Sequence, residues 1–265
     1  MTTDSPVSPA APAVLAVGGL DPSGGAGILR DAAELEAAGC RALAVASSLT
    51  VQDGRTFRRH QPVDPALLAE QLDLLAEGPP LAAVKLGMLA TGAVVDAVTA
   101  FLARTRPSIV VLDPVLGASA GGTLLDDEGV DRLLGELLPF VTVLTPNLPE
   151  LQRLFGLDAA ALPGDALVMA LEMLRLGLPC DLVVKGGHRP APDTGTDLVV
   201  TPEGVTVFPP TEALRGTAHG TGCTFASALT GALARGLELP DAVRYAKARV
   251  EGWIVRTGAT GDAAL

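Results

Sequence analysis

The sequence predicts an α/β protein: a three-layer α/β/α sandwich around a mostly parallel central sheet, with a small hairpin before the C-terminal helices. Short apolar runs alternate with amphipathic stretches almost from end to end, as repeated strand–helix units do. The apolar runs are nearly continuous rather than alternating. That is how strands covered on both faces of a parallel sheet read. Composition agrees, with 48% hydrophobic residues and only 3% aromatics, so Ala, Leu and Val must fill the core.

Taken in order, strands are expected at 13–18, 42–48, 82–86, 108–112, 141–144 and 182–185. Helices are expected between them at 27–38, 65–77, 91–105, 127–138, 148–155 and 165–176. Pro65 after Asp64 reads as an N-cap followed by proline in the first turn. Gly39 and Gly177 each follow a helix, where glycine favours the left-handed cap position. The polar segment 50–62 reads as a surface loop or a lid, the surface loop being the commoner outcome. Residues 197–208 read as a hairpin around Pro202–Gly204. A glycine-rich turn and two helices, about 222–235 and 239–257, complete the chain. The Pro-, Ala- and Ser-rich residues 1–12 read as a flexible tail, and 13–265 as one domain.

Composition narrows the function. The chain has 265 residues, with 19 Lys+Arg against 30 Asp+Glu and a net charge of −11. A strongly acidic chain is a poor general binder of nucleic acid or anionic membranes, so an anionic ligand needs a local site that overrides the global field. The mean hydropathy of +0.40 excludes a disordered chain, and no long uninterrupted apolar stretch suggests a membrane span. Cys40, Cys180 and Cys223 form no CxxC pair, so neither a disulfide framework nor a zinc ribbon is suggested. A reducing, cytoplasmic setting is expected.

Four segments carry chemistry. Gly18 to Gly27 (GGLDPSGGAG) stands between a strand and a helix, where glycines let backbone approach a ligand. Asp31 falls one turn further on. The alternative is a tight connecting turn. In Arg215 to Thr224 (RGTAHGTGCT), a glycine-rich loop opens a helix. Successive amides there make an anion site, and the helix dipole is expected to lower the thiol pKa of Cys223, fitting it as a general base. The alternative is a small packing residue. Asn147 and Glu150 lie three apart at a helix start; they suit Mg²⁺ through water or, more cheaply, an N-cap with an acidic first turn. Lys185, before Gly186, Gly187 and His188, ends a strand, as does Asp113. Cys40 and Cys180 border apolar strands and read as packing residues. No GxxxxGK[ST] and no GxGxxG after the first strand is present, so neither common nucleotide fingerprint applies.

Taken together, GGLDPSGGAG, KLGML, LDPV, TPNLPE, VKGGH and HGTGC resemble the hydroxymethylpyrimidine/phosphomethylpyrimidine kinases of thiamine biosynthesis, members of the ribokinase-like superfamily. The resemblance runs over about residues 13–257. It implies ATP-dependent phosphorylation of 4-amino-5-hydroxymethyl-2-methylpyrimidine and then of its monophosphate. It implies Gln52, Gly19, Asp31 and Met88 as pyrimidine-site residues, a side-chain amide suiting an exocyclic amine beside a ring nitrogen. It implies Gly220, Thr221 and Gly222 as the anion hole and Cys223 as the base. Lys185, Asp113 and His219 go to the ATP side, and Asn147 with Glu150 to Mg²⁺. A homodimer is implied by analogy alone. Leu20, and the run Asp53, Arg55, Arg58 and Arg59, depart from the family pattern. A pyridoxal/pyridoxine kinase is the alternative, disfavoured by Gln52. A sugar kinase is disfavoured by Cys223 in place of an Asp. A non-catalytic pyrimidine sensor is disfavoured by the intact set Asn147, Glu150, Lys185 and Cys223.

Overall fold

The computed structural model describes residues 10–118, 121–188, 194–210 and 218–259. Its strands are β1 (Ala13–Leu20), β2 (Arg41–Gln52), β3 (Phe57–Pro62), β4 (Ala83–Leu86), β5 (Val110–Leu112), β6 (Val143–Leu144), β7 (Asp181–Val184), β8 (Asp197–Thr201) and β9 (Gly204–Phe208). The helices are α1 (Gly27–Ala37), α2 (Pro65–Ala76), α3 (Gly92–Thr105), α4 (Asp127–Arg132), α5 (Leu148–Phe155), α6 (Gly164–Leu176), α7 (Thr221–Ala234) and α8 (Leu239–Ala259). The strands form one sheet in the order β3-β2-β1-β4-β5-β6-β7-β8-β9. The six from β2 to β7 in that order pair in parallel, and β3, β8 and β9 add antiparallel edges. The fold is the predicted three-layer sandwich.

Strand parity explains the apolar runs. Leu15, Val17, Val84, Leu86, Val110 and Leu112 point to one face, where they pack with α2, α3, α5 and α6. Val14, Ala16 and Ala83 face Leu35 of α1, and Val111, Val143 and Val183 face α7 and α8. Fully burying each Leu or Val contributes roughly 1.5–3 kcal/mol, so both faces drive sheet formation. Gly231 lets α7 approach α1: a Cβ there would lie 2.6 Å from the Cβ of Ala38. Chain order reverses at β1, whose neighbours are β2 and β4. Open α/β sheets bind ligands at such a reversal, beyond the carboxyl ends of the strands.

Four local expectations need correction. Segment 50–62 is not a surface loop, because β2 runs on to Gln52 and β3 returns beside it. The signal was present: Asp53–Gly54 is a hairpin turn pair. Asp53 Oδ1 accepts the amides of Arg55 and Thr56, and Gly54 takes φ +87°. The helix expected at 127–138 is α-helical only to Arg132; it widens to a π turn at Leu133–Leu137 and tightens to a 3₁₀ turn at Leu138–Phe140, where Pro139 has no N–H to continue the ladder. Gly177 has φ −89° and ends α6 in the right-handed region, whereas Gly39 is left-handed at +80°. Of the expected tail, residues 1–9 lie outside the described residues, and the carbonyl of Pro12 already accepts the Arg41 amide at 2.9 Å. Asp64 caps α2 as expected, accepting from the Ala66 amide.

Candidate active site

Two glycine-rich turns interlock at the sheet's carboxyl edge. In the first, Asp21 gathers the turn onto its carboxylate, accepting from the amides of Ser23 and Ala26 and from the Ser23 hydroxyl. Gly27 has φ +60°, and a Cβ on it would fall 2.1 Å from the Gly19 carbonyl oxygen. In the second, Gly220 has φ +80°, and a Cβ would fall 1.8 Å from the Gly25 carbonyl oxygen. Only glycine permits either approach. Gly220 is the N-cap of α7 and no side chain caps the helix, so the first-turn amides of Thr221, Gly222 and Cys223 form an anion cradle. His219 fixes the cradle twice: Nε2 meets Asp21 Oδ2 at 2.7 Å, and its carbonyl accepts the Trp253 indole N–H at 2.8 Å.

One side of the site lies at the ends of β1, β2 and β4. Met88 packs over Gly19, where a Cβ would fall 2.8 Å from the sulfur. The Ser47 hydroxyl holds the Met88 carbonyl at 2.5 Å. Gln52 ends β2 half-buried, paired with Phe57 of β3. Beneath them Asp31 is fully buried and both its oxygens accept from Lys85 Nζ, at 2.9 and 2.8 Å. Ser227 on α7 adds a third donor at 2.7 Å.

The opposite side is a second cluster of buried charge. Lys185 Nζ donates to Asp113 Oδ1 at 2.5 Å and lies 3.7 Å from Glu150 Oε2. A Cβ on Gly222 would stand 3.4 Å from Lys185 Nζ and 3.5 Å from Asp113 Oδ2, so the cradle, the lysine and the aspartate converge. Burial, and Asp113 nearby, push Glu150 up to about 7 against the pull of Lys185. Asn147 and Glu150 form a complete capping box on α5: each side chain accepts from the other's amide. The Asn147 side-chain oxygen and Glu150 Oε2 each accept one bond within the cap.

Cys223 departs from expectation in one respect. Its thiol is not lowered by the helix start. Burial pushes it up to about 11, and the charge of Lys85 and the Gly27 amide offset only part of that. Desolvation of a thiolate outweighs a partial helix dipole here. Cys40 and Cys180 are buried packing residues, Cys40 against the Gly231 carbonyl at 3.5 Å.

A profile of the phosphomethylpyrimidine kinase family matches residues 21–264 of this chain. The chain belongs to the phosphomethylpyrimidine kinase family. The hydroxymethylpyrimidine/phosphomethylpyrimidine kinase of Escherichia coli is 34% identical over 88% of this chain and 87% of its own length. Its Staphylococcus aureus counterpart is 31% identical over 88% and 84%. A bifunctional thiamine-biosynthesis protein of Geobacter sulfurreducens is 37% identical, and this chain spans 47% of its length. Among solved structures, the Clostridium difficile phosphomethylpyrimidine kinase matches with TM-score 0.79 and 27% identity over 92% of this chain and 99% of that one. The Staphylococcus aureus pyridoxal kinase with ADP matches with TM-score 0.80 and 27% identity over 91% and 87%.

Within the phosphomethylpyrimidine kinase fold, Gly19 packs against Met88 and Asp31 lies behind Gly18, Gln52 ends β2, and Asp113, Lys185 and Glu150 form the second cluster. Gly220, Thr221, Gly222 and Cys223 lie between. Arg215, Gly216 and Thr217 of the second turn lie outside the described residues. His219, expected on the ATP side, has its imidazole on Asp21. Sequence reading passed over Lys85, Asp21, Ser227 and Trp253. Lys85 was hidden inside an apolar strand run (AAVKL), where a lone lysine was itself the signal. Ser227 and Trp253 carried none.

Proposed function

We propose that this protein transfers a phosphoryl group from ATP to 4-amino-5-hydroxymethyl-2-methylpyrimidine and then to the resulting monophosphate. The convergence of the uncapped α7 start, Lys185 and Asp113 around Gly222 supports the reading best. Phosphoryl transfer needs positioning and charge stabilisation above all, and amides plus a buried ammonium provide both. Gln52, Asp31 and Met88 hold the ring; Cys223, once ionised to the thiolate, accepts the hydroxyl proton at the cradle; Lys185 contacts transferring phosphate.

The residues fit Mg²⁺ with ATP. Glu150 Oε1 and Asp113 Oδ2 have no hydrogen-bond donor among the described residues, and no group of three His, Cys, Asp or Glu there makes an all-protein metal cage. One or two carboxylates plus water and phosphate is the usual Mg²⁺ arrangement. When bound, the ion neutralises charge on the transferring phosphoryl oxygens. We extend the proposal to one domain over residues 13–265 and to a cytoplasmic homodimer. Leu49 and Val51, exposed on β2 beside the edge strand β3, support an association surface. No helix among the described residues is long and apolar enough to cross a membrane.

Purified protein with Mg-ATP is offered the pyrimidine alcohol, its monophosphate and pyridoxine. ADP release with both pyrimidines is expected. Release with pyridoxine alone favours the second reading, which the pyridoxal kinase neighbours keep open.

A further inference from the structure

Asp197 opens β8, and Lys247 lies on α8, where its neighbours Ala246 and Val250 pack against the sheet. The two side chains are 9% and 8% exposed, and Lys247 Nζ meets Asp197 Oδ2 at 2.7 Å. An ion pair buried this deeply is weak evidence for stability, because desolvation offsets the attraction. Its other bonds show what it holds. Asp197 Oδ1 accepts the Gly186 amide at 2.7 Å, and Lys247 Nζ also donates to the Gly195 carbonyl at 2.7 Å. The Gly195 amide in turn donates to the Gly186 carbonyl at 2.9 Å. Gly186 is therefore gripped at its amide and at its carbonyl. The fit is close: a Cβ on Gly186 would fall 1.7 Å from the Thr196 carbonyl oxygen.

Gly186 follows Lys185 directly. The Gly186 N–H belongs to the planar peptide that joins the two residues, so Asp197 sets that plane on one side of the Lys185 Cα. The Lys185 amide, donating to the Pro146 carbonyl at 2.9 Å, sets the plane on the other side. From this fixed root the Lys185 side chain reaches Asp113 at 2.5 Å, and its Nζ stands 3.4 Å from a Cβ built on Gly222. We propose that Asp197, with its charge balanced by Lys247, is a positioning residue for Lys185: by holding the Gly186 amide it fixes the backbone from which the Lys185 ammonium reaches the transferring phosphate. This rests on the kinase reading above. Burial pushes the Asp197 carboxyl up, and Lys247 pulls against it, so the pairing favours the anion whose two oxygens accept both donors.

The test compares three proteins with the wild type. Asp197→Asn/Lys247→Met keeps an acceptor oxygen for the Gly186 amide without a buried charge. Asp197→Leu/Lys247→Met removes the acceptor, and Lys185→Ala removes the group being positioned. The Asn variant is expected to keep kcat within ~5-fold of wild type, since one neutral hydrogen bond replaces a charged one. The Leu variant is expected to lose ~10-fold or more in kcat and to raise KM for Mg-ATP, with KM for the pyrimidine alcohol unchanged, because a misplaced phosphate donor is costly. Introduced into Lys185→Ala, the Leu/Met pair is expected to lower kcat no further. A Leu variant with wild-type kcat overturns the proposal. So does a further loss on the Lys185→Ala background, or a rise in pyrimidine KM that matches the rise for Mg-ATP. If the Leu variant does not fold, the Asn variant decides: kcat more than ~5-fold below wild type overturns the proposal. A wild type that turns over neither pyrimidine defeats the kinase reading instead. Calorimetric affinity for Mg-ATP then tests the clamp alone, with affinity kept in the Asn variant and weakened ~10-fold in the Leu variant expected, and equal affinity in the two overturning it.

Discussion

His219 Nε2 lies 2.7 Å from Asp21 Oδ2, and this contact joins two glycine turns that are 198 residues apart in the chain. Asp21 already organises the first turn through three donors, from Ser23 and Ala26. The His219 backbone, held by Trp253, leads directly into the cradle. The imidazole therefore sets how far the α7 amides stand from the β1 floor.

His219→Ala is expected to lower kcat about tenfold and to raise KM for ATP, since misplacing transition-state donors is costly. His219→Gln keeps a donor within reach of Asp21 and recovers much of the loss. Steady-state kinetics with thermal melts checks this. A variant that melts normally and turns over normally refutes the latch.

Cys223 is neutral in the resting protein near pH 7, because its thiol is pushed up to about 11. Turnover is expected to climb with pH across the alkaline range instead of levelling off at neutrality. Iodoacetamide is expected to label Cys223 slowly at pH 7 and faster as pH rises. Cys223→Ala is expected to reduce kcat at least ~100-fold, within the range of a lost general base, while calorimetry shows near-normal pyrimidine binding. Near-normal turnover rejects Cys223 as the base.

Glu150, raised to about 7, is expected to place an acidic limb near pH 7 on kcat/KM with Mg-ATP. Below that pH the carboxyl is neutral and a poor metal partner. The same raised pKa favours the folded state at low pH, and that contribution is lost as pH rises from 4.5 to about 7. Glu150→Gln is expected to abolish the limb and flatten the stability change. An unchanged limb in that variant assigns it elsewhere.

Cys180 is buried among apolar side chains, and burial pushes its thiol up to about 11. A raised thiol pKa contributes stability that is complete below the unfolded value of 9 and is lost as pH rises toward 11. The loss is roughly 2–3 kcal/mol at the upper end. Denaturant titrations of the wild type and Cys180→Ala between pH 8 and 11 measure it. Parallel pH profiles for the two proteins contradict the assignment.

Most of the sheet was legible because burial on both faces writes itself as unbroken apolar runs. The ends of α1, α2 and α5 were legible because Gly39, Asp64 and Asn147 are local signals acting within a turn. The β2–β3 hairpin escaped because β3 is FRRHQP, an edge strand whose polar residues face solvent. The π and 3₁₀ turns after α4 escaped because amphipathic period persists through a change of helix type. Gly18 to Gly27 and Gly220 to Gly222 were legible as turns, but which carbonyl each glycine admits was not.

By itself the sequence determined the layer order and the sheet edge on which chemistry-bearing residues collect. Periodicity, glycine clustering and strand-end polarity are local properties of the chain. Tertiary structure alone decided that His219 grips Asp21 and that Lys85 is turned onto Asp31. It also reversed the expected direction for Cys223. Those outcomes depend on desolvation and on partners 54 to 198 residues away, and neither is encoded in the spacing of neighbouring residues.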